Sequence, residues 1–259
     1  HGHSLRSAVG VFNIVWTSAT AAGLVLMGPV FATDASRIAI VAIGPVCALA
    51  IVCLPWFPAS PPPHLDDGAP PIVPAVYRPL RAASRALLPT SYLLIGTIGP
   101  MLPYITGGIG VAPEWQTPVS STWHAVRVLA MLAMWRMAFW HGKWSTLAAG
   151  AILMGGGFLA AMSAGSVQSL MLALVAFGAG HAVLYYASLY YAMSVGHAEV
   201  DAGGHFEALI GVGYISGPIA SLVGMSLAGE FGARGLVMLL AAGASLLAVR
   251  EWLRWRRTA

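Results

Sequence analysis

Apolar residues run along this chain in long stretches that are not interrupted at the two-residue or 3.6-residue period of a half-buried element. Breaking the sequence at charges, prolines and polar clusters leaves eight apolar segments, approximately 8–32, 36–57, 90–112, 118–140, 145–164, 168–196, 204–229 and 234–253. Each is near or above the roughly 20 residues that span a bilayer, so the pattern predicts about eight transmembrane helices. Membrane-spanning strands would be shorter and would alternate in polarity, and stretches such as LMLALVAFGAG and GLVMLLAAGASLLA do not alternate. The predicted fold class is an all-α polytopic membrane protein.

One long connection interrupts the series. It runs through 58–89 and contains PASPPPHLDDGAPPIVP, whose prolines exclude a regular helix and mark a surface linker. The chain therefore divides into two helices over 1–57, the linker over 58–89, and a six-helix bundle over 90–259. With both termini cytoplasmic, the inner side carries Arg6, Arg78, Arg81, Arg85, Lys143, Arg250, Arg254, Arg256 and Arg257. The outer side then carries Arg37 and Arg234 alone, an asymmetry that matches the cytoplasmic bias of basic residues and supports an even number of helices.

Composition agrees with a membrane solvent. Of 259 residues 58% are hydrophobic and 8% charged, where a soluble domain carries roughly a quarter charged residues. Mean hydropathy is +0.77. The net charge of +4 is spread between apolar segments and forms no continuous basic face, which excludes nucleic acid as the expected partner. Cys47 and Cys53 share one apolar run and read as small buried hydrophobes. The expected location is the plasma or inner membrane, with the lipid bilayer as the first partner.

Two segments, AAGLVLMGPVF in the first helix and GVGYISGPIASLVG in the seventh, each place a Gly-Pro pair in a glycine-rich membrane helix. Both resemble the Gly-Pro helix motif of major facilitator superfamily transporters. That family carries the motif in its fifth and eleventh helices, six apart, as the first and seventh are here. The long linker resembles the family's central cytoplasmic loop, and HGKWS resembles its short basic loop after the eighth helix. The resemblance implies the last two helices of an N-terminal bundle followed by a six-helix C-terminal bundle. It leaves four helices to be supplied by a missing N-terminal segment or by another membrane chain. It further implies alternating access, with Gly28, Pro29, Gly217 and Pro218 as helix-bending positions and no cofactor.

Several polar residues inside the apolar segments are candidates for a solute path. Arg127 lies mid-segment in STWHAVRVLAMLAMWRM, where a charge is expensive unless it faces a cavity or a partner. His124, three residues earlier, shares its helical face, and together they suit an anionic solute. His181 is followed one turn later by Tyr185 and either faces the same path or hydrogen-bonds a neighbouring helix. Tyr190 and Tyr191 read as an interfacial aromatic belt, and Arg136 as an interfacial anchor. Asn13 and Trp16 of the first helix complete the path. In EVDAGGHFEALIG, Glu207 reads as a first-turn acid complementing the helix N-terminus, or as a gate contact to Lys143 or Arg136. His205 and Glu207 are two apart and share no helical face, which argues against a metal site. No phosphate-binding loop, G-x-S-x-G or H-E-x-x-H is found, so enzymatic activity has no support. The function expected is secondary transport of a small solute; the alternative is a non-transporting subunit derived from such a transporter within a larger complex.

Overall fold

The computed structural model describes residues 5–31, 41, 44–45, 48–49, 51–52, 55, 73–196 and 200–258. Regular structure among the described residues is helical throughout: α1 (Leu5–Phe31), α2 (Tyr77–Gly108), α3 (Pro113–Ser120), α4 (Thr122–Arg136), α5 (Trp144–Met162), α6 (Val167–Val195) and α7 (Val200–Thr258). Six helical stretches are long and apolar enough to cross a membrane: Ser7–Leu26 of α1, the whole of α2, α5 and α6, and the two halves of α7, Asp201–Gly229 and Phe231–Thr258. Their outer faces expose large apolar side chains, among them Val15, Ile152, Leu172, Ile215, Leu222 and Leu246. The chain is an integral, multi-pass helical membrane protein.

The expected count of eight changes for identifiable reasons. The segment 36–57 lies outside the described residues except for isolated positions, and so does 58–72 of the linker. The segment 118–140 is divided at Ser121 between α3, which holds Pro118, and α4. With 15 residues α4 is about 22 Å long, short of a full crossing. It ends at Arg136, four residues before the expected end, because Met137 turns to extended backbone and the Trp140 indole N–H donates to the Met134 carbonyl at 2.9 Å. In the opposite direction, α2 begins at Tyr77, so the last 13 residues of the expected linker form its first turns.

Pro89, Pro100 and Pro103 all lie inside α2. A proline removes a helical N–H, and in lipid the freed carbonyls need another donor. Hydroxyls of the same helix bond the carbonyl one turn back, Thr90 to Ala86 at 2.8 Å, Thr97 to Leu93 at 2.9 Å and Thr106 to Leu102 at 2.8 Å, so these side chains keep their own polar groups satisfied inside the helix. At the start of α6, Ser166 and Ser169 exchange side-chain and backbone hydrogen bonds of 3.1 and 3.2 Å, a capping box that sets the helix entry.

Close backbone approach assembles the bundle. A Cβ on Gly213 would overlap the Pro89 carbonyl, and one on Gly217 the Leu93 carbonyl, so this GxxxG pair seats α7 directly on α2. Around Pro218 the backbone of α7 stays helical. The helix breaks instead at Ala228 and Gly229, where Gly229 takes φ 60 and ψ −149, a conformation essentially restricted to glycine. The break folds α7 into a hairpin, with Gly224 packed against the Gly232 carbonyl across the turn.

Gly217→Val is expected to lower the thermal unfolding midpoint of the detergent-solubilised protein, at a cost of about 1–3 kcal/mol for forced overpacking. Gly203→Ala, in the same helix with open space around it, is expected to be neutral or slightly stabilising. Equal midpoints for Gly217→Val and wild type would contradict the packing described.

Candidate solute site

The structure brings together most of the predicted path residues around one guanidinium. Arg127 is 2% exposed and points from α4 into the bundle. Its Cζ lies 4.3 Å from the Trp16 ring centroid on α1 and 5.0 Å from that of Tyr185 on α6. The Tyr92 ring of α2 lies 6.2 Å from that of Tyr185 and 4.9 Å from that of Tyr214 on α7, and both tyrosines lie within electrostatic range of the guanidinium. Five helices thus meet at a single charge.

No carboxylate balances that charge among the described residues, where the ion pair formed is Arg254–Glu251 at the end of α7. Two of its nitrogens, Nε and Nη2, are buried and have no hydrogen-bond partner. They form one edge of the planar fork, the edge with which arginine grips two oxygens at once. An unpaired buried guanidinium is costly, and the aromatic faces offset only part of that cost, each by up to about 2 kcal/mol when desolvated.

Neighbouring groups are placed by identifiable contacts. Asn13 is fully buried; its amide donates to the Val9 carbonyl at 2.8 Å, and its side-chain oxygen accepts from the Trp16 indole at 3.4 Å, which holds Trp16 over Arg127. His181 is fully buried, edge-on to Tyr92 at 5.2 Å and beside Trp123 at 5.9 Å. Neither ring nitrogen of His181 has a hydrogen-bond partner, so the expected bond to a neighbouring helix is not formed. His124 stacks on Trp123 at 3.6 Å with its Nδ1 buried and unpartnered. A Cβ on Gly178 would overlap the Trp123 carbonyl, so this glycine lets α4 approach α6 closely enough to bring Arg127 and His181 into one cluster.

Other predicted residues lie elsewhere. Tyr191 is fully buried and accepts a hydrogen bond from the Gly142 N–H at 3.0 Å, so it is a packing residue and not part of a lipid-facing belt. Its neighbour Tyr190 stacks on His141 at 4.6 Å. Because α7 begins at Val200, Asp201 is its first-turn acid and Glu207 sits about two turns in, exposed and within electrostatic range of Tyr185. The Lys143 ammonium lies 6.0 Å over the Phe139 ring and the Arg136 guanidinium 5.4 Å over Trp135, and Glu207 pairs with neither. His205 contacts the Asp201 carbonyl at 2.7 Å. Gly28 and Pro29 lie within the continuous backbone of α1.

Tyr92, Trp123 and Tyr214 escape sequence reasoning. Trp123 adjoins His124, which is a weak signal, but nothing in the local sequence separates Tyr92 or Tyr214 from interfacial tyrosines. A cavity of about 610 Å³ lies away from this cluster, between α2, α5 and the second half of α7, and its lining is almost entirely apolar. Compared with known proteins, the chain matches no family model, no curated protein and no solved structure. The likeness of its Gly-Pro segments to the major facilitator superfamily therefore rests on the sequence alone.

Proposed function

We propose that this chain is a secondary membrane transporter of the major facilitator type, or the larger part of one, that moves a small anionic solute by alternating access. The observation that carries the reading is the unpartnered Nε and Nη2 edge of Arg127, buried and without an acidic partner among the described residues. A carboxylate or comparable oxyanion matches that edge with two parallel hydrogen bonds, and its charge removes the cost of the uncompensated cation. The aromatic rings of Trp16, Tyr92 and Tyr185 exclude water around it, which strengthens the electrostatic contact.

The site draws on both parts into which the linker divides the sequence. Trp16 comes from α1, before the linker, and Arg127 and Tyr185 from α4 and α6, after it. Relative rocking of the two parts would open and close the aromatic cover over the bound anion, with access alternating about a central site. With Arg127 and His181 both buried, the conformation described here corresponds to the occluded state of that cycle.

Uptake by proteoliposomes of a panel of labelled anions, namely acetate, lactate, succinate and inorganic phosphate, tests the proposal. Arg127→Ala is expected to abolish uptake of the transported anion while circular dichroism and elution volume stay unchanged. Arg127→Lys keeps the charge but loses the planar fork, and the half-saturating concentration is expected to rise about 30-fold or more, from a loss of roughly 2 kcal/mol. Unchanged uptake by Arg127→Ala would sink the assignment, and no uptake of any anion by folded wild-type protein would favour the non-transporting subunit.

Trp16→Ala is expected to weaken uptake about 5- to 30-fold through loss of one cation–π contact worth about 1–2 kcal/mol. Trp16→Phe should recover part of that loss in the same assay. Identical kinetics for Trp16→Ala and wild type would remove α1 from the site.

A further inference from the structure

Buried serine and threonine hydroxyls among the described residues follow a rule with two exceptions. Thr17, Ser91, Thr97, Thr106 and Ser121 each donate to a carbonyl of their own helix, the normal outcome for a hydroxyl without water. Ser84 on α2 and Ser188 on α6 are both 3% exposed, and neither hydroxyl has any partner. The two face the same small cavity, between α2, α6 and the start of α7.

The rest of that lining shows what the cavity is suited to hold. Arg81 contributes a buried Nε–H that is also unpartnered, and Arg85 adds a second guanidinium close enough to repel the first. His205 completes the polar lining, and no acidic residue lines the cavity among the described residues. Three unpartnered donor groups thus line one cavity, with the exposed Arg85 at its edge. Each would cost about 1–3 kcal/mol if left unsatisfied. The cavity volume is about 20 Å³, room for a water or a monatomic ion, since roughly 10–15 Å³ is enough for a water, and too little to enclose a phosphate or carboxylate. A water brings two donors of its own into a lining that already supplies three, and no charge for Arg81, whereas a monatomic anion accepts from all three and brings that charge.

We propose that Ser84, Ser188 and Arg81 form a halide site, with chloride as its physiological occupant, distinct from the Arg127 cluster. The site sits at the junction of the helices that carry that cluster. Ser188 is one turn beyond Tyr185 on α6, and Phe206, which lines the halide cavity, packs edge-on against the Tyr185 ring at 5.3 Å. A bound halide therefore clamps α2, α6 and α7 together at one end, and it stabilises the fold whether or not a solute is present.

The test is thermal unfolding of the full chain in nanodiscs of neutral phosphatidylcholine, followed by tryptophan fluorescence, in sodium chloride, bromide or gluconate at one ionic strength. Chloride and bromide are expected to raise the midpoint by a few degrees, saturably, over gluconate. The shift should vanish in the Ser84→Ala/Ser188→Ala double variant and shrink in Arg81→Gln, whose substitution at a partly exposed position keeps the fold intact if the double variant does not. Arg127→Ala should retain it. Equal midpoints in all three salts would mean that the cavity holds water only. A halide shift that survives in Arg81→Gln at full size, or disappears in Arg127→Ala, would place the halide elsewhere; either result overturns the proposal.

Discussion

A guanidinium buried inside a membrane bundle is the constraint around which this structure is arranged. Removing such a charge from water costs several kcal/mol, and among the described residues the usual remedy, a carboxylate on a facing helix, is not used for Arg127. The protein surrounds the charge with aromatic rings instead. Trp16, Tyr185 and Tyr92 come from three different helices, so the partial compensation of one charge ties α1, α2 and α6 to α4. Asn13 contributes indirectly by bonding its own helix with one end and the Trp16 indole with the other. The remaining deficit sits on one edge of the guanidinium, and an oxyanion with two oxygens offsets it most directly.

Such a cluster needs helices that approach more closely than ordinary side chains permit. In lipid there is no hydrophobic drive for helices to associate, so close packing and internal hydrogen bonding have to hold them together. Gly178 admits the backbone of α4 at Trp123, and Gly213 and Gly217 admit the backbone of α2. Each of these contacts lies within about one turn of a ring in the cluster: Trp123 itself, Tyr92 on α2, and Tyr214 on α7. Where backbone approach is tight, polar groups must find partners locally, and the hydroxyls of Thr90, Thr97 and Thr106 do so within α2. Ser84 and Ser188 depart from this pattern beside the unpartnered Nε–H of Arg81, which makes the departure chemically informative.

The helical, membrane-embedded character of the chain was legible residue by residue, because every spanning segment must satisfy its own backbone and bury itself in lipid. Length and apolarity alone determine that outcome, and they located α5 and α6 to within a residue or two. Boundaries failed where a side chain beyond the periodic pattern decided the end, by a short-range hydrogen bond in one case and by packing on a distant helix in the other. The Trp140 indole ends α4 by taking up the Met134 carbonyl, and α2 extends back to Tyr77, whose ring packs on Tyr190 and Tyr191 of α6. Gly217 and Pro218, read as bending positions, lie in helical backbone with Gly217 pressed against α2, and the chain reverses at Gly229.

Arg127, His124, His181 and Trp16 were identifiable because ionisable groups and polar aromatics inside apolar segments are costly, and that cost is a property of the segment itself. The sequence by itself therefore determined that this is a helical membrane protein with a costly charge near the middle of an apolar segment. Only the tertiary structure decided what surrounds that charge, because Tyr92 and Tyr214 belong to helices distant in sequence and differ in no local feature from interfacial tyrosines. Their roles arise from distances across the bundle, and those are set by which backbones can touch.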